Sequence, residues 1–294
     1  MTVLAASSDP LFRLPLGEWV DGAVTAITHT FDGLFDAIKS VLEGGYDGLE
    51  YVLAAPPAWA VVLVLAALAF FLKGWQLAVT ALVGFALIIG VDQWENAMAT
   101  LALVLVASVI ALAIAVPLGI LAARNDKVSA ALRPVLDFMQ TMPAFVYLIP
   151  TVVIFLTGAV PGIVATIVFA MAPGVRFTEL GIRQVDSEVV EAGHAFGASP
   201  GRILRQIQIP LALPTIMAGI NQVIMLALSM AVISGMVGAD GLGSDVLSAL
   251  SRVDVALGFE AGLAVVILAI YLDRMTSALA ARAPVSRALQ LAAV

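Results

Sequence analysis

Long apolar runs alternate with short polar breaks along most of this chain. From residue 58 onward they predict seven membrane-length helices, at about 58–72, 76–91, 96–122, 141–158, 161–178, 211–236 and 258–279. Roughly 20 helical residues cross a hydrocarbon core about 30 Å thick, so the first run is short and the third is long enough to tilt. Pro117 predicts a kink in the third. A Lys73-Gly74-Trp75 turn joins the first two runs, and the glycine-rich turn 238–243 follows the sixth. Residues 244–257 read as a short surface helix.

The first 56 residues follow another pattern. Trp19, Val20, Val24, Ile27, Phe31, Leu34, Phe35, Ile38, Val41 and Leu42 recur at three- and four-residue steps. Asp21, Asp32, Asp36, Glu43 and Asp47 fall between them. This spacing predicts one or two amphipathic helices. They lie on a membrane surface, pack on the bundle, or fold as a soluble hairpin. Pro56-Pro57 closes the segment.

One polar island, Val185 to Pro214, interrupts the oily half of the chain. Asp186 or Ser187 suits a helix N-cap, with Glu188 near the positive end of the dipole. Gly197 is a C′ stop. Ser199-Pro200 then opens a second helix through Arg202 and Arg205, and Pro210 and Pro214 mark the return to a span. The expected product is a compact helix–turn–helix outside the bilayer, suited to act as a lever between spans and a soluble partner.

Composition fixes the class. With 62% hydrophobic and 12% charged residues in 294, the chain has more apolar surface than a soluble core of this length hides. It reads as an all-α polytopic membrane protein. It has no cysteine, hence no disulfide or thiol chemistry. The opening residues MTVLAASSDP lack the basic and apolar regions of a cleavable signal peptide. No GxxxxGK[ST] loop and no metal-spaced His/Asp cluster occur. The chain is therefore expected to be non-catalytic, to bind no cofactor or metal, and to have no nucleic-acid partner. Any ATP and magnesium belong to a partner chain.

Charge distribution sets an orientation. Seven spans divide the connections into two sets, one holding eleven of the fourteen Lys and Arg residues and the other only Arg13, Lys39 and Arg252. The basic side is expected to be cytoplasmic. This places the island and the C-terminus inside and the N-terminus outside. Ionisable residues are scarce within the spans, which argues against an ion-coupled carrier. Nothing like a TVGYG filter suggests a channel.

Glu191-Ala192-Gly193, then Gly197, then Ile207-Gln208-Ile209-Pro210 resembles the cytoplasmic loop of binding-protein-dependent ABC importer permeases. That family pattern is Glu-Ala-Ala, three residues, Gly, nine residues, Ile-x-Leu-Pro; Gly193 and Ile209 are the departures. Gly193 is expected to make the loop helix less stiff. Residues 136–250, including MQTMPAFVYLIP (139–150) and the segment 214–243, look like the permease of glycine betaine/proline betaine importers. LDRMT (272–276) fits too.

The resemblance implies an importer type I permease-like core in a bacterial or archaeal cytoplasmic (inner) membrane. Two copies of this chain would pair, each docking an ABC ATPase subunit, so two ATPases in all. A separate extracytoplasmic binding protein would deliver the solute. The implied coupling residues are Glu191, Ala192, Gly193, Gly197, Ile207 and Pro210, with Ala198, Ser199 and Pro200 in the same contact. The implied division is 1–56 as the amphipathic segment, 57–93 as a first transmembrane hairpin, 94–280 as the core with coupling loop 185–210, and 281–294 as a tail.

For the solute path the candidates are Gln140, Thr141, Phe145, Tyr147, Asn221 and Gln222. Aromatic faces hold trimethylammonium groups by cation–π attraction. Adjacent amides inside a span want a partner, which is either pore water or a neighbouring helix. The implied solutes are glycine betaine, proline betaine or choline-like compounds; another small polar solute such as an amino acid, or a self-sufficient carrier or channel, stands as the alternative.

Overall fold

The computed structural model describes residues 14–282, and these are helical nearly throughout, with no strand among them. Inside a bilayer the backbone must satisfy its own hydrogen bonds, and apolar helices do so. Amphipathic α1 (Leu16–Thr30) and α2 (Asp32–Ala54) come first. The bundle is built from α3 (Ala58–Lys73), α4 (Trp75–Gly90), α5 (Trp94–Arg124) and α6 (Asp126–Thr141). It continues with α7 (Leu148–Phe155), α8 (Ala159–Arg183), α9 (Ser187–Ala195) and α10 (Pro200–Ile203). The last helices are α11 (Ile209–Ile233), α12 (Leu242–Arg252) and α13 (Val255–Ala281).

Four helical runs are long and apolar enough to cross a membrane: α5, α8, Pro200–Val237 and α13. The count rises to six if each of two bent pairs is one crossing. One expected span changes character. Residues 141–158 are not a straight helix: α6 gives way to a 3-10 turn at Ala144–Tyr147 and then to the eight-residue α7, bent by 108° from α6. Pro143 explains the break, because it removes a donor and forces Met142 into extended backbone, at φ −70° and ψ 135°. Pro117 and Pro173, by contrast, sit inside α5 and α8 without ending them.

The core lies where α5, α8 and α11 meet, and small residues set the approach. A Cβ on Gly119 of α5 would lie 2.5 Å from Thr178 Cβ of α8, so only glycine fits that crossing. Phe85 and Tyr271 stack edge to face at 5.0 Å, fixing α4 against α13.

The bundle has two distinct ends. At one, α8 passes into the polar island; the Arg183 guanidinium donates to the Ala122 carbonyl near the end of α5, and Arg282 donates to the Phe71 carbonyl of α3. At the other, Asp245 of α12 accepts from Gln93 and Asn96 at the start of α5. Here the Gly158 amide also bonds to the Val237 carbonyl. Helix α2 lies across this second end. It buries Leu42 and Tyr46 and stacks Phe35 edge to face on Phe155 at 5.8 Å. Of the alternatives open for the first segment, α2 takes packing on the bundle. Helix α1 buries nothing. All described basic residues except Lys39 and Arg252 fall to the island end.

Candidate coupling loop and solute path

The island folds as two helical pieces around one turn. Asp186 caps α9, its carboxylate accepting from the Glu188 amide at 2.9 Å. Helix α9 stops at Gly197, whose φ of +76° is left-handed backbone that glycine adopts without strain. The Gly197 amide bonds to His194 O, and the Ala198 amide to Gly193 O. Ser199, in extended backbone, precedes Pro200 at the first helical position. Its carbonyl receives the Arg202 and Ile203 amides.

The second piece is not a separate helix. Helix α10 runs through a π-turn at Leu204–Gln208 directly into α11. The π-turn answers a local problem. Pro210 has no N–H, and a wider turn here lets the Ile209 amide reach back to Leu204 O. Pro210 and Pro214 therefore sit within a continuous run rather than marking a re-entry break.

Gly193 has a packing role. It is buried against α10 and the π-turn, and a Cβ there would lie 2.8 Å from Ile207 Cδ1 and 3.4 Å from Ile203 Cγ1. Ile207 is thus the residue that seats α9. Glu191, Ala192, Gly197, Ser199 and Pro200 are exposed, Ala198 and Pro210 half-buried. Among the described residues none bonds the Glu191 side chain. The sequence reading passed over Phe196, which is 92% exposed immediately before the turn. An aromatic between a helix end and its stop glycine, in a loop outside the bilayer, was the available signal.

A charge network braces this loop's base. Glu179 on α8 is buried; it accepts from Ser129 Oγ at 2.6 Å and pairs with Arg183 Nε at 3.0 Å. Arg183 also pairs with Asp126 at 2.8 Å, and Arg176 with Asp137. These contacts hold α6 to α8 and open a cavity of about 310 Å³ lined by Arg133, Arg176 and Arg183 among others.

The path candidates divide. Gln140 and Thr141 are exposed at the end of α6, and the Thr141 hydroxyl bonds to Phe138 O. Phe145 is exposed in the 3-10 turn. Tyr147 is buried, its hydroxyl donating to Met139 O and its ring edge to face with Phe169 at 5.8 Å. The Asn221 amide donates to Asp273 Oδ1 of α13 at 3.0 Å, and its oxygen accepts from Thr276. Gln222 is exposed. Asn221 thus has its partner on a neighbouring helix, and Asp273 is a residue whose part only the fold reveals.

A bundle of membrane-length helices, with a capped and exposed helical loop rooted in a core helix, defines an all-helical polytopic membrane component. Residues 115–283 match the family described as binding-protein-dependent transport system inner membrane component. This chain belongs to that family and is a transmembrane permease subunit. It is 49% identical over 269 residues to the glycine betaine/carnitine transport permease protein GbuB of Listeria monocytogenes, covering 90% of this chain and 95% of the relative. Identity to the glycine betaine transport system permease protein OpuAB of Bacillus subtilis is 47%, covering 91% and 95%. It is 43% to the glycine betaine/proline betaine transport system permease protein ProW of Escherichia coli, covering 92% and 77%. The fold resembles a chain of the inward-facing MetNI methionine ABC transporter, with TM-score 0.59 and 22% identity over 64% of this chain and 94% of that one.

Proposed function

We propose that this chain is the permease of an ATP-driven importer of betaines, with glycine betaine, proline betaine and choline-like solutes as the substrate class. The relatives named above support the solute class. The observation that carries the coupling role is the surface of the island. Phe196 is 92% exposed beside the left-handed Gly197, and the exposed Glu191 has no side-chain partner among the described residues. An aromatic anchor flanked by an unpaired carboxylate is the pattern of a protein–protein contact. Its partner is an ATPase subunit, one for each of two permease copies. ATP and magnesium sit on that partner, and a separate extracytoplasmic binding protein delivers the solute. The island end is cytoplasmic and the α2 end faces outward, with the N-terminus outside and the C-terminus inside. Residues 1–56 form the outer segment, 57–93 a hairpin, 94–280 the core and 281–294 the inner tail. The solute passes along the α6–α7 bend and α11, where Gln140, Thr141, Phe145 and Gln222 are available to line it.

The test is uptake of labelled glycine betaine by proteoliposomes holding the permease, ATPase and binding protein, with ATP inside. Wild type is compared with Glu191→Ala plus Gly197→Asp. Loss of uptake in the double variant, with the permease still folded, is expected. Uptake without the ATPase, or uptake that survives the double variant, overturns the coupling role. ATP-driven uptake of a different solute alone overturns the substrate class.

A further inference from the structure

The cavity between α6 and α8 has no part in the coupling role. It measures about 310 Å³ and is lined by Arg133, Asp137, Arg176, Glu179 and Arg183 between two leucines. Pockets for small ligands begin at about this size. Its three guanidiniums outnumber its two carboxylates, so the lining is positive.

Its depth in the membrane sets it apart. Helix α8 has 25 residues and is about 37 Å long, so a hydrocarbon core about 30 Å thick centred on it ends about 4 Å short of either tip. Arg176 stands about 10 Å along the helix from Arg183 at its end. It and the Asp137 it pairs with are therefore at hydrocarbon depth, yet their side chains are 40% and 64% exposed. An ion pair at that depth faces water or protein, not lipid tails.

Helix α6 shows where that water runs. Ser129, Leu132, Leu136 and Met139 turn toward the bundle. Ala131, Val135 and Phe138 are exposed and apolar, a face that lipid accepts. Arg133, Asp137, Gln140 and Thr141 form a strip between these two faces, exposed and polar, at three- and four-residue steps. The strip joins the cavity to the α6–α7 bend, the solute path named above.

The arginines differ in their free donors. Arg183 is saturated: Nε pairs with Glu179 at 3.0 Å, and its terminal nitrogens serve Asp126 and the Ala122 carbonyl, both at 2.8 Å. Arg176 gives one terminal nitrogen to Asp137. Arg133 is 4.0 Å from Glu179, too far for a hydrogen bond, and its side chain is 68% exposed. Arg133 and Arg176 thus line the cavity with N–H groups to spare. A guanidinium fork matches a carboxylate, two N–H groups to two oxygens. We propose that Arg133 and Arg176 bind the carboxylate of a zwitterionic solute on its way through the membrane, so that the permease itself favours betaines over choline-like cations. This rests on the importer reading above and narrows its substrate class. A choline-like cation has no carboxylate to offer and meets a lining of its own sign.

The test measures equilibrium binding of labelled glycine betaine to the permease–ATPase complex in nanodiscs, without binding protein. ATP-driven uptake by proteoliposomes that include the binding protein is read in parallel. Arg133→Gln, which loses no hydrogen bond among the described residues, is expected to weaken binding about tenfold and to slow uptake, with an unchanged thermal midpoint. Arg176→Lys keeps the charge without the fork and is expected to weaken binding about threefold. Choline is expected not to displace the label. No binding to the wild-type complex, unchanged binding in Arg133→Gln, or displacement by choline as effective as by unlabelled betaine overturns the site. An Arg133→Gln effect seen only in membranes containing anionic phospholipid assigns the cavity to a lipid headgroup and also overturns it. ATP-driven uptake by the wild type leaves the importer reading intact in each of these cases, and its absence overturns both.

Discussion

Replacing Gly197 by alanine isolates the worth of a single turn. A Cβ at this position meets nothing within 4 Å, so no clash contributes. What remains is backbone conformation, because φ is +76°. Left-handed backbone disfavours an L side chain by about 1–2 kcal/mol. Part of this is offset by about 0.4–1 kcal/mol, since alanine also has less freedom than glycine when the loop opens. The net effect is about 1 kcal/mol against the turned loop, roughly a fivefold change in its population. The turn is exposed and far from the α5–α8–α11 core, so the thermal midpoint of the permease should not move. Association with the ATPase subunit in nanodiscs should weaken about fivefold. Asparagine tolerates left-handed backbone, so Gly197→Asn should lose much less. Equal losses for alanine and asparagine, or no loss for alanine, would refute the claim that conformation at Gly197 sets the loop's docking shape.

Other expectations follow from the same geometry. Phe196→Ser should weaken ATPase association by about tenfold, with an unchanged melting temperature, because the ring touches little within its own chain. Asn221→Ala removes the amide that serves Asp273 and should destabilise the permease by about 1–3 kcal/mol, read as a lower thermal midpoint in lipid nanodiscs. Burial raises the Glu50 carboxyl on α2, which makes the attachment of that helix depend on pH. A carboxyl whose folded value lies above its ordinary 4.5 binds its proton more tightly when folded. Attachment should therefore strengthen as pH falls from neutrality through the raised value toward 4.5, and Glu50→Gln should abolish the trend. Hydrogen exchange of the α2 amides at two pH values checks this.

Much of the island was legible because its signals are local. A capping aspartate, a glycine stop and Ser-Pro at a helix start each act within a few residues, and each stands where expected. The continuity of α10 with α11 was not legible. A proline ordinarily ends a helix, and the π-turn that admits Pro210 leaves no mark in residue type. The broken helix at 141–158 hid for the opposite reason: its apolar composition passes for a span, and Pro143 counted for less than the hydropathy around it. Gly193 reads in sequence as a loss of stiffness. Only the fold shows Ile207 and Ile203 closing over it. The partner of Asn221 lies 52 residues away on α13, a separation that no periodicity reports.

The seamless run from Pro200 to Val237 has a mechanical consequence. Its 38 residues form a rod about 57 Å long. Tilted as one body, such a run turns a push at one tip into an opposite swing at the other, and a tilt of about 10° about the midpoint moves each tip about 5 Å; the π-turn at Leu204–Gln208 and Pro214 are the points where it could bend instead. Its far tip is not free. Backbone atoms of Gly243 and Ser244 lie within 2.6 Å of where a Cβ on Gly235 would stand, so α12 rides directly on the rod. The two ends of the bundle are in this sense joined by one helical run. Were the run to tilt as one body, displacement at the island would be expected at α12 with similar amplitude and opposite direction.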